Sequence, residues 1–278
     1  MTIAYVGIDN GHGKNTPGKR TPDDSMREWE FNHATAKYLS EELEFNNFKT
    51  LMVSDTSEDT PLGTRTNRAN NYKVDIFVSI HANAHTGTWG EANGIETFAY
   101  KSTTKGDRLA NFVQEELIKA TGLRNRGVKY NNLFITREAS MPAILCECGF
   151  MDNKKEAELL KSDSYRRKCA KAICIGICRF YNVSYKNKDE NNSSNDNESG
   201  DMFYRVVSGS YLNKDLAEKE IEKLKKDGVD TFISTFKKDS KVYYRLVAGS
   251  YKDIDNANNQ LDKLKLKGYD GFIVVYEK

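Results

Sequence analysis

Asp75-Ile-Phe-Val-Ser-Ile-His81-Ala-Asn83 decides how the rest of the chain is read. Ile76 to Ile80 is an apolar run rich in β-branched residues with polar flanks, which predicts a short buried strand. The run ends abruptly in an imidazole and a carboxamide. In open α/β sheets ligands gather where strands end, so His81 stands where a site is expected. Two other strands in the first half also end in polar, chemically able residues. Together these exits read as one metal site.

Working outward, Ile3–Asp9 reads as a first strand, followed by Asn10-Gly-His12-Gly-Lys-Asn15. Glycines on both sides of His12 permit a tight exit turn and close approach of backbone to a ligand. A phosphate-binding loop is excluded, because Ile8 stands at the position of its first glycine and Asn15 replaces the required Ser or Thr. A helix is expected over about Met26–Phe45, with Phe31, Ala34 and Tyr38 on its apolar face. Phe48–Ser54 is a second strand, and Leu62–Asn71 a short helix carrying Arg65 and Arg68. Past the central strand come a loop with His85 and Trp89, a strand at Gly94–Tyr100 and a helix at Asp107–Gly122. Asn131–Arg137 reads as strand or extended loop, Pro142–Gly149 as a strand, and Asn153–Tyr181 as helix broken near Ser162. This alternation predicts an α/β domain with a mostly parallel or mixed sheet flanked by helices.

The chain has 278 residues and a formal net charge of +2, which suggests one or two domains and gives no reason to expect nucleic acid as a partner. No apolar run is long enough to span a membrane. The start, Met1-Thr-Ile-Ala-Tyr-Val-Gly7, lacks a basic segment and reads directly as strand. No signal peptide is therefore expected, and the protein is expected to be made in the cytoplasm. The five cysteines, Cys146, Cys148, Cys169, Cys174 and Cys178, are odd in number and lie in apolar or helical surroundings, as reduced core thiols do.

From Asn187 to Asp201 no side chain is apolar, so residues 184–201 are expected to be a flexible linker between domains at 1–183 and 202–278. The last part is an internal repeat. Tyr204-Arg-Val-Val-Ser-Gly-Ser-Tyr211 recurs as Tyr244-Arg-Leu-Val-Ala-Gly-Ser-Tyr251, and the match continues at Leu224/Leu264, Gly228/Gly268 and Phe232/Phe272. Two such units predict a βαββαβ fold, a four-stranded sheet with both helices on one face and the other face open. The strands lack the aromatic pattern of RNA-stacking modules of this topology.

Hydrolysis at zinc needs three protein ligands, one open position for water, and a base near that water. His12 and His81 follow strand ends. Glu28 begins the helix after the His12 loop. Glu147 is a lone carboxylate in Ile144-Leu-Cys-Glu-Cys-Gly-Phe150, costly to bury without a task. Each has a plainer reading taken alone. Ser25-x-x-Glu28 could be a capping box, His12 a turn residue, and Glu147 a partner for Arg65 or Arg68. Glu30 rivals Glu28, and Glu91 and Glu96 are weaker carboxylate candidates.

Residues 1 to about 183 resemble the type 3 zinc-dependent N-acetylmuramoyl-L-alanine amidases. The motifs are Ile8-Asp-Asn-Gly-His12-Gly, Glu28-Trp-Glu-Phe-Asn32, Leu62-x-x-Arg65-x-x-x-Ala69-Asn70, Ser79-Ile-His81-Ala-Asn83, Gly94-Ile-Glu96 and Pro142-Ala-Ile-Leu-Cys-Glu147-Cys-Gly-Phe150-Met-Asp-Asn153. The resemblance implies Zn2+ held by His12, Glu28 and His81, with Glu147 as catalytic acid/base, and cleavage of the amide between N-acetylmuramic acid and L-alanine. Arg65, Asn83 and His85 are candidates for substrate contact. Residues 202–278 resemble a SPOR domain, a peptidoglycan-binding module, with Tyr204, Ser208, Ser210, Tyr244 and Ser250 as candidate glycan contacts. By alternation alone the tyrosines could equally pack on the helices. The expected partner is bacterial peptidoglycan, reached after release by a phage holin or by cell lysis. The rival readings are a zinc peptidase cutting within the stem peptide and a non-catalytic wall-binding protein.

Overall fold

The computed structural model describes residues 2–188, 202–238, 241–252 and 254–277. The chain divides into two compact units, Met1–Lys188 and Asp189–Lys278.

The first unit is built on the expected central strand. β3 (Ile76–Asn83) lies in the middle of a six-stranded sheet with β1 (Tyr5–Asn10), β2 (Lys49–Met52), β4 (Ile95–Ala99), β5 (Asn125–Tyr130) and β6 (Ala143–Phe150). The strand order is β2-β1-β3-β6-β4-β5. Every neighbouring pair is parallel except β4 with β6. Alternation along β3 sends Ile76, Val78 and Ile80 into the larger core, with Phe31, Leu39, Leu43, Leu109, Val113 and Ile173. Phe77 points the other way, into a smaller core with Val53, Ala69, Ile135 and Ala143. Both faces are covered, which is why the strand reads as a continuous apolar run. The larger core is closed by α1 (Glu28–Phe45), α3 (Lys105–Thr121) and α6 (Asp163–Phe180), the smaller one by α2 (Leu62–Asn71) and α4 (Phe134–Arg137). A break at Ser162, whose hydroxyl accepts from the Tyr165 N–H, separates α5 (Lys154–Lys161) from α6. All five cysteines are buried free thiols.

Three expectations are corrected. The segment read as strand or extended loop, 131–137, holds the short helix α4, and the strand precedes it as β5. β5 is an edge strand whose residues are at most half-buried, so it has no apolar run to betray it. The helix expected from Met26 starts at Glu28, and Met26 is core. Residues 184–188 are not linker. Tyr185 packs on the core and its hydroxyl donates to Glu42 at 2.7 Å, while the Lys186 N–H donates to the Asn46 side chain at 2.6 Å. The rest of the expected linker, 189–201, lies outside the described residues.

The second unit is an antiparallel sheet ordered β10-β7-β9-β8, from β7 (Met202–Tyr211), β8 (Phe232–Lys238), β9 (Lys241–Tyr251) and β10 (Phe272–Glu277). Its helices are α7 (Lys214–Lys226) and α8 (Ile254–Leu266). Ala217 and Leu224 of α7 and Ala257 and Leu264 of α8 pack with Val206, Leu246 and Ala248 on one sheet face. Tyr204 and Tyr244 pack against this same core, so they belong to the helix side and not to the open face expected for glycan contact. The open face carries Arg205 over the Tyr276 ring at 3.2 Å and Arg245 over the Phe236 ring at 3.7 Å. Ser250 and Ser210 are the exposed cross-strand partners of these two arginines. Ser208 sits in a bulge, where its hydroxyl reaches the Leu246 carbonyl at 3.4 Å.

Candidate metal centre

The strand and helix exits meet at one end of the first sheet. His12 follows β1, Glu28 opens α1 and His81 lies near the end of β3. One ligand atom from each falls within 4.8 Å of the others. Glu28 Oε2 is 3.3 Å from His12 Nε2, and Glu28 Oε1 is 2.9 Å from His81 Nδ1. The two imidazole rings stand edge to face with centroids 5.0 Å apart.

The local sequence explains this convergence. His12 has φ 62°, in the left-handed region that histidine enters more readily than most non-glycine residues. A Cβ on Gly11 would lie 2.1 Å from the His81 ring, and one on Gly13 would lie 2.3 Å from the Asp59 backbone. Glycine at 11 therefore lets the loop close on His81, and glycine at 13 lets it pass over Asp59. Glu28 is not the acid of a capping box. Arg27 occupies the cap, and its N–H donates to Glu30 Oε2 at 2.9 Å. That bond occupies Glu30 and leaves Glu28 to face the histidines.

A second layer of polar groups, which the sequence reading left without a role, orients the first. Ser79 donates to Asp9 Oδ2 at 2.6 Å, and His81 Nε2 lies 3.1 Å from the same Ser79 oxygen. A hydroxyl has one proton, and Asp9 takes it. Ser79 must then accept from Nε2–H, which turns Nδ1 toward Glu28 and the centre. Asn32 bridges Glu28 Oε1 at 3.2 Å and the Gly11 carbonyl at 2.9 Å. The signal for these residues was present as polar positions in otherwise buried strands and helices.

Glu147 is the cross-strand partner of His81 in the β3–β6 register. Among the described residues its Oε2 is buried without a hydrogen-bond partner. Cys146 and Cys148 on either side point into the opposite core. Burial is the main force lifting the Glu147 carboxyl to about 8; Glu28 and Glu96 add to the rise and His81 opposes it. Burial also pulls against the charge on Glu28, but the hydrogen bond and charge of His81, with His12 and Lys19, hold it down to about 2. Desolvation lowers His12 to about 4, against the pull of Glu28. Two imidazoles and a carboxylate around one point, with an unpartnered carboxylate beside them, suit a borderline-soft divalent ion such as zinc.

The remaining site candidates fall differently. Arg65 is 1% exposed and lies on the floor of the cleft beside the centre. It donates to Asp9 Oδ1 and the Asn10 carbonyl at 2.6 Å each, and its Nε donates to the Thr60 carbonyl at 2.6 Å. It braces the strand that delivers His12, and it does not pair with Glu147. Asn83 is half-buried and donates to Glu96 Oε1 at 2.8 Å. His85 is exposed on the following loop, which is tied down by N–H groups of His85, Thr86 and Gly87 donating to Asp152. A cleft of about 380 Å3 opens beside the centre, lined by His12, Asp59, Pro61, Leu62 and His81 among others.

A profile described as N-acetylmuramoyl-L-alanine amidase matches residues 6–179, and one described as SPOR domain matches residues 203–275. The chain is 33% identical to the N-acetylmuramoyl-L-alanine amidase CwlM of Bacillus licheniformis, over 66% of this chain and 70% of that one. It is 44% identical to an uncharacterized cell wall amidase of Bacillus anthracis, over 43% of this chain but only 24% of that one. The catalytic domain of CwlV, an N-acetylmuramoyl-L-alanine amidase from Bacillus (Paenibacillus) polymyxa var. colistinus, superposes with a TM-score of 0.61 at 32% identity, over 66% of this chain and all of that one.

Proposed function

The chain belongs to the N-acetylmuramoyl-L-alanine amidase family, and from that premise we propose that it hydrolyses the amide joining N-acetylmuramic acid to L-alanine in peptidoglycan, with zinc held by His12, Glu28 and His81. The observation that carries this reading is the 4.8 Å cluster of two imidazoles and one carboxylate beside the unpartnered Glu147 oxygen. A divalent cation bound by that set would supply an acidified water and polarise a carbonyl. Glu147, lifted by burial, would take a proton from a water at the centre and deliver it to the leaving alanine nitrogen. Ser79 and Asp9 keep His81 in one orientation through the exchange, and Asn32 does the same for Glu28. The buried setting strengthens every charge interaction among these groups.

The second domain keeps the first close to an insoluble polymer, which raises its effective concentration there. Its open face, with Arg205, Arg245, Ser210 and Ser250, is the glycan-facing surface in this reading. Among the described residues no helix is long and apolar enough to cross a membrane. Delivery to the wall through release by a holin or by cell lysis completes the proposal.

Digestion of purified wall, with and without chelator, tests it. Free lactyl carboxylates and new L-alanine amino termini are expected together, and chelator is expected to stop both. Amino termini without lactyl carboxylates would point to a stem peptidase, and no release at all to a binding protein.

A further inference from the structure

The catalytic rim of the sheet continues past Glu147. Across β6 and β4 the Cα partner of Glu147 is Glu96. Glu96 Oε1 is occupied by Asn83, and Oε2 accepts both Arg126 Nε and Lys129 Nζ at 2.5 Å. The three side chains are not equally covered. Glu96 is 6% exposed, Arg126 25% and Lys129 39%, so the acid lies beneath and the cations face outward. Burial opposes the Glu96 charge, but hydrogen bonds from Lys129 and Arg126 hold its carboxyl below the usual range. Glu96 thus holds two cations, and the Glu156 carboxyl also acts on Arg126. The Arg126 guanidinium lies 4.8 Å over the Phe150 ring, which fixes its plane on the strand that carries Glu147. An ammonium has three donors and a guanidinium five, so one shared carboxylate oxygen and, for Arg126, the Asn93 carbonyl at 3.3 Å do not exhaust them.

We propose that Arg126 and Lys129 form a subsite for the carboxylate on the second residue of the stem peptide. The proposal rests on the amidase reading. If Glu147 protonates the leaving nitrogen, a peptide that leaves the centre past Glu147 runs toward β4 and β5. Neighbouring strands are about 4.8 Å apart and an extended residue spans about 3.5 Å. The residue after L-alanine therefore reaches the Glu96 row, where the two cations stand. In peptidoglycan that residue is a γ-linked glutamate whose α-carboxyl is either free or amidated. Free carboxylate complements the two outward-facing cations, and carboxamide does not.

The test uses the full chain and two soluble disaccharide tetrapeptides that differ only at this group. Wild type is expected to prefer the carboxylate on the order of tenfold in kcat/KM. Lys129→Met is expected to bring the ratio close to one, and Lys129→Arg to keep most of it. Equal rates for wild type on the two substrates would overturn the subsite. So would an unchanged ratio in Lys129→Met, even with a lowered melting temperature, because that is the behaviour of a triad that only braces the edge strand. If wild type cuts neither substrate, the amidase reading falls and the subsite falls with it.

Discussion

His81 is where covalent, electrostatic and packing demands coincide. Its ring fits only because position 11 has no Cβ, and its Nε2 is turned by Ser79 and Asp9. Burial opposes its charge, but the Glu28 hydrogen bond and carboxylate outweigh burial and raise its pKa, with Glu147 and Asp9 adding to the rise. In the metal-free chain the protonated form therefore persists to higher pH than in a free imidazole. A metal ligand must be neutral, so metal affinity is expected to fall as pH drops through the raised His81 pKa, and binding below it should release a proton. Calorimetry in buffers of different ionisation enthalpy measures that proton directly. Binding with no proton release and no pH dependence between about pH 5 and pH 8 would show that His81 is not a ligand.

The start of α1 separates two glutamates that the sequence leaves in competition. Glu30 closes the helix cap at Arg27, and Glu28 faces His12 and His81. Glu30→Ala is expected to cost about 1 kcal/mol and lower the melting temperature by a few degrees while metal content stays at wild-type level. Glu28→Gln is expected to remove the metal. Thermal melts with metal analysis on both variants check the assignment, and metal loss from Glu30→Ala would reverse it. The pattern of element recognition has the same physical logic. β3 was legible because both its faces are buried. β5 was not, since an edge strand with Arg126, Gly127 and Lys129 has no apolar period. The bracing role of Arg65 was not legible because its partner, Asp9, is 56 residues away in sequence. In β7 and β9 alternation showed two faces, but only the packing of Ala217, Leu224, Ala257 and Leu264 shows which one is covered.

At the scale of the whole molecule the proposed function divides catalysis from retention between the two units. Phe232 and Phe272, each 46% exposed, are repeat-related positions on the second sheet. Replacing both with alanine is expected to weaken cosedimentation with insoluble wall several-fold while hydrolysis of soluble muropeptides is kept. Equal losses in both assays would mean that the second unit is part of the catalytic machinery. The central claim is that His12, Glu28 and His81 hold one zinc ion that Glu147 serves without binding. Metal content of purified Glu147→Gln and His81→Ala, each paired with its wall-digesting activity, tests it most directly. Glu147→Gln is predicted to retain about one zinc per chain with activity reduced by a factor on the order of a hundred to ten thousand. His81→Ala is predicted to lose both. Equal zinc content in the two variants, or full activity in either, would contradict the account.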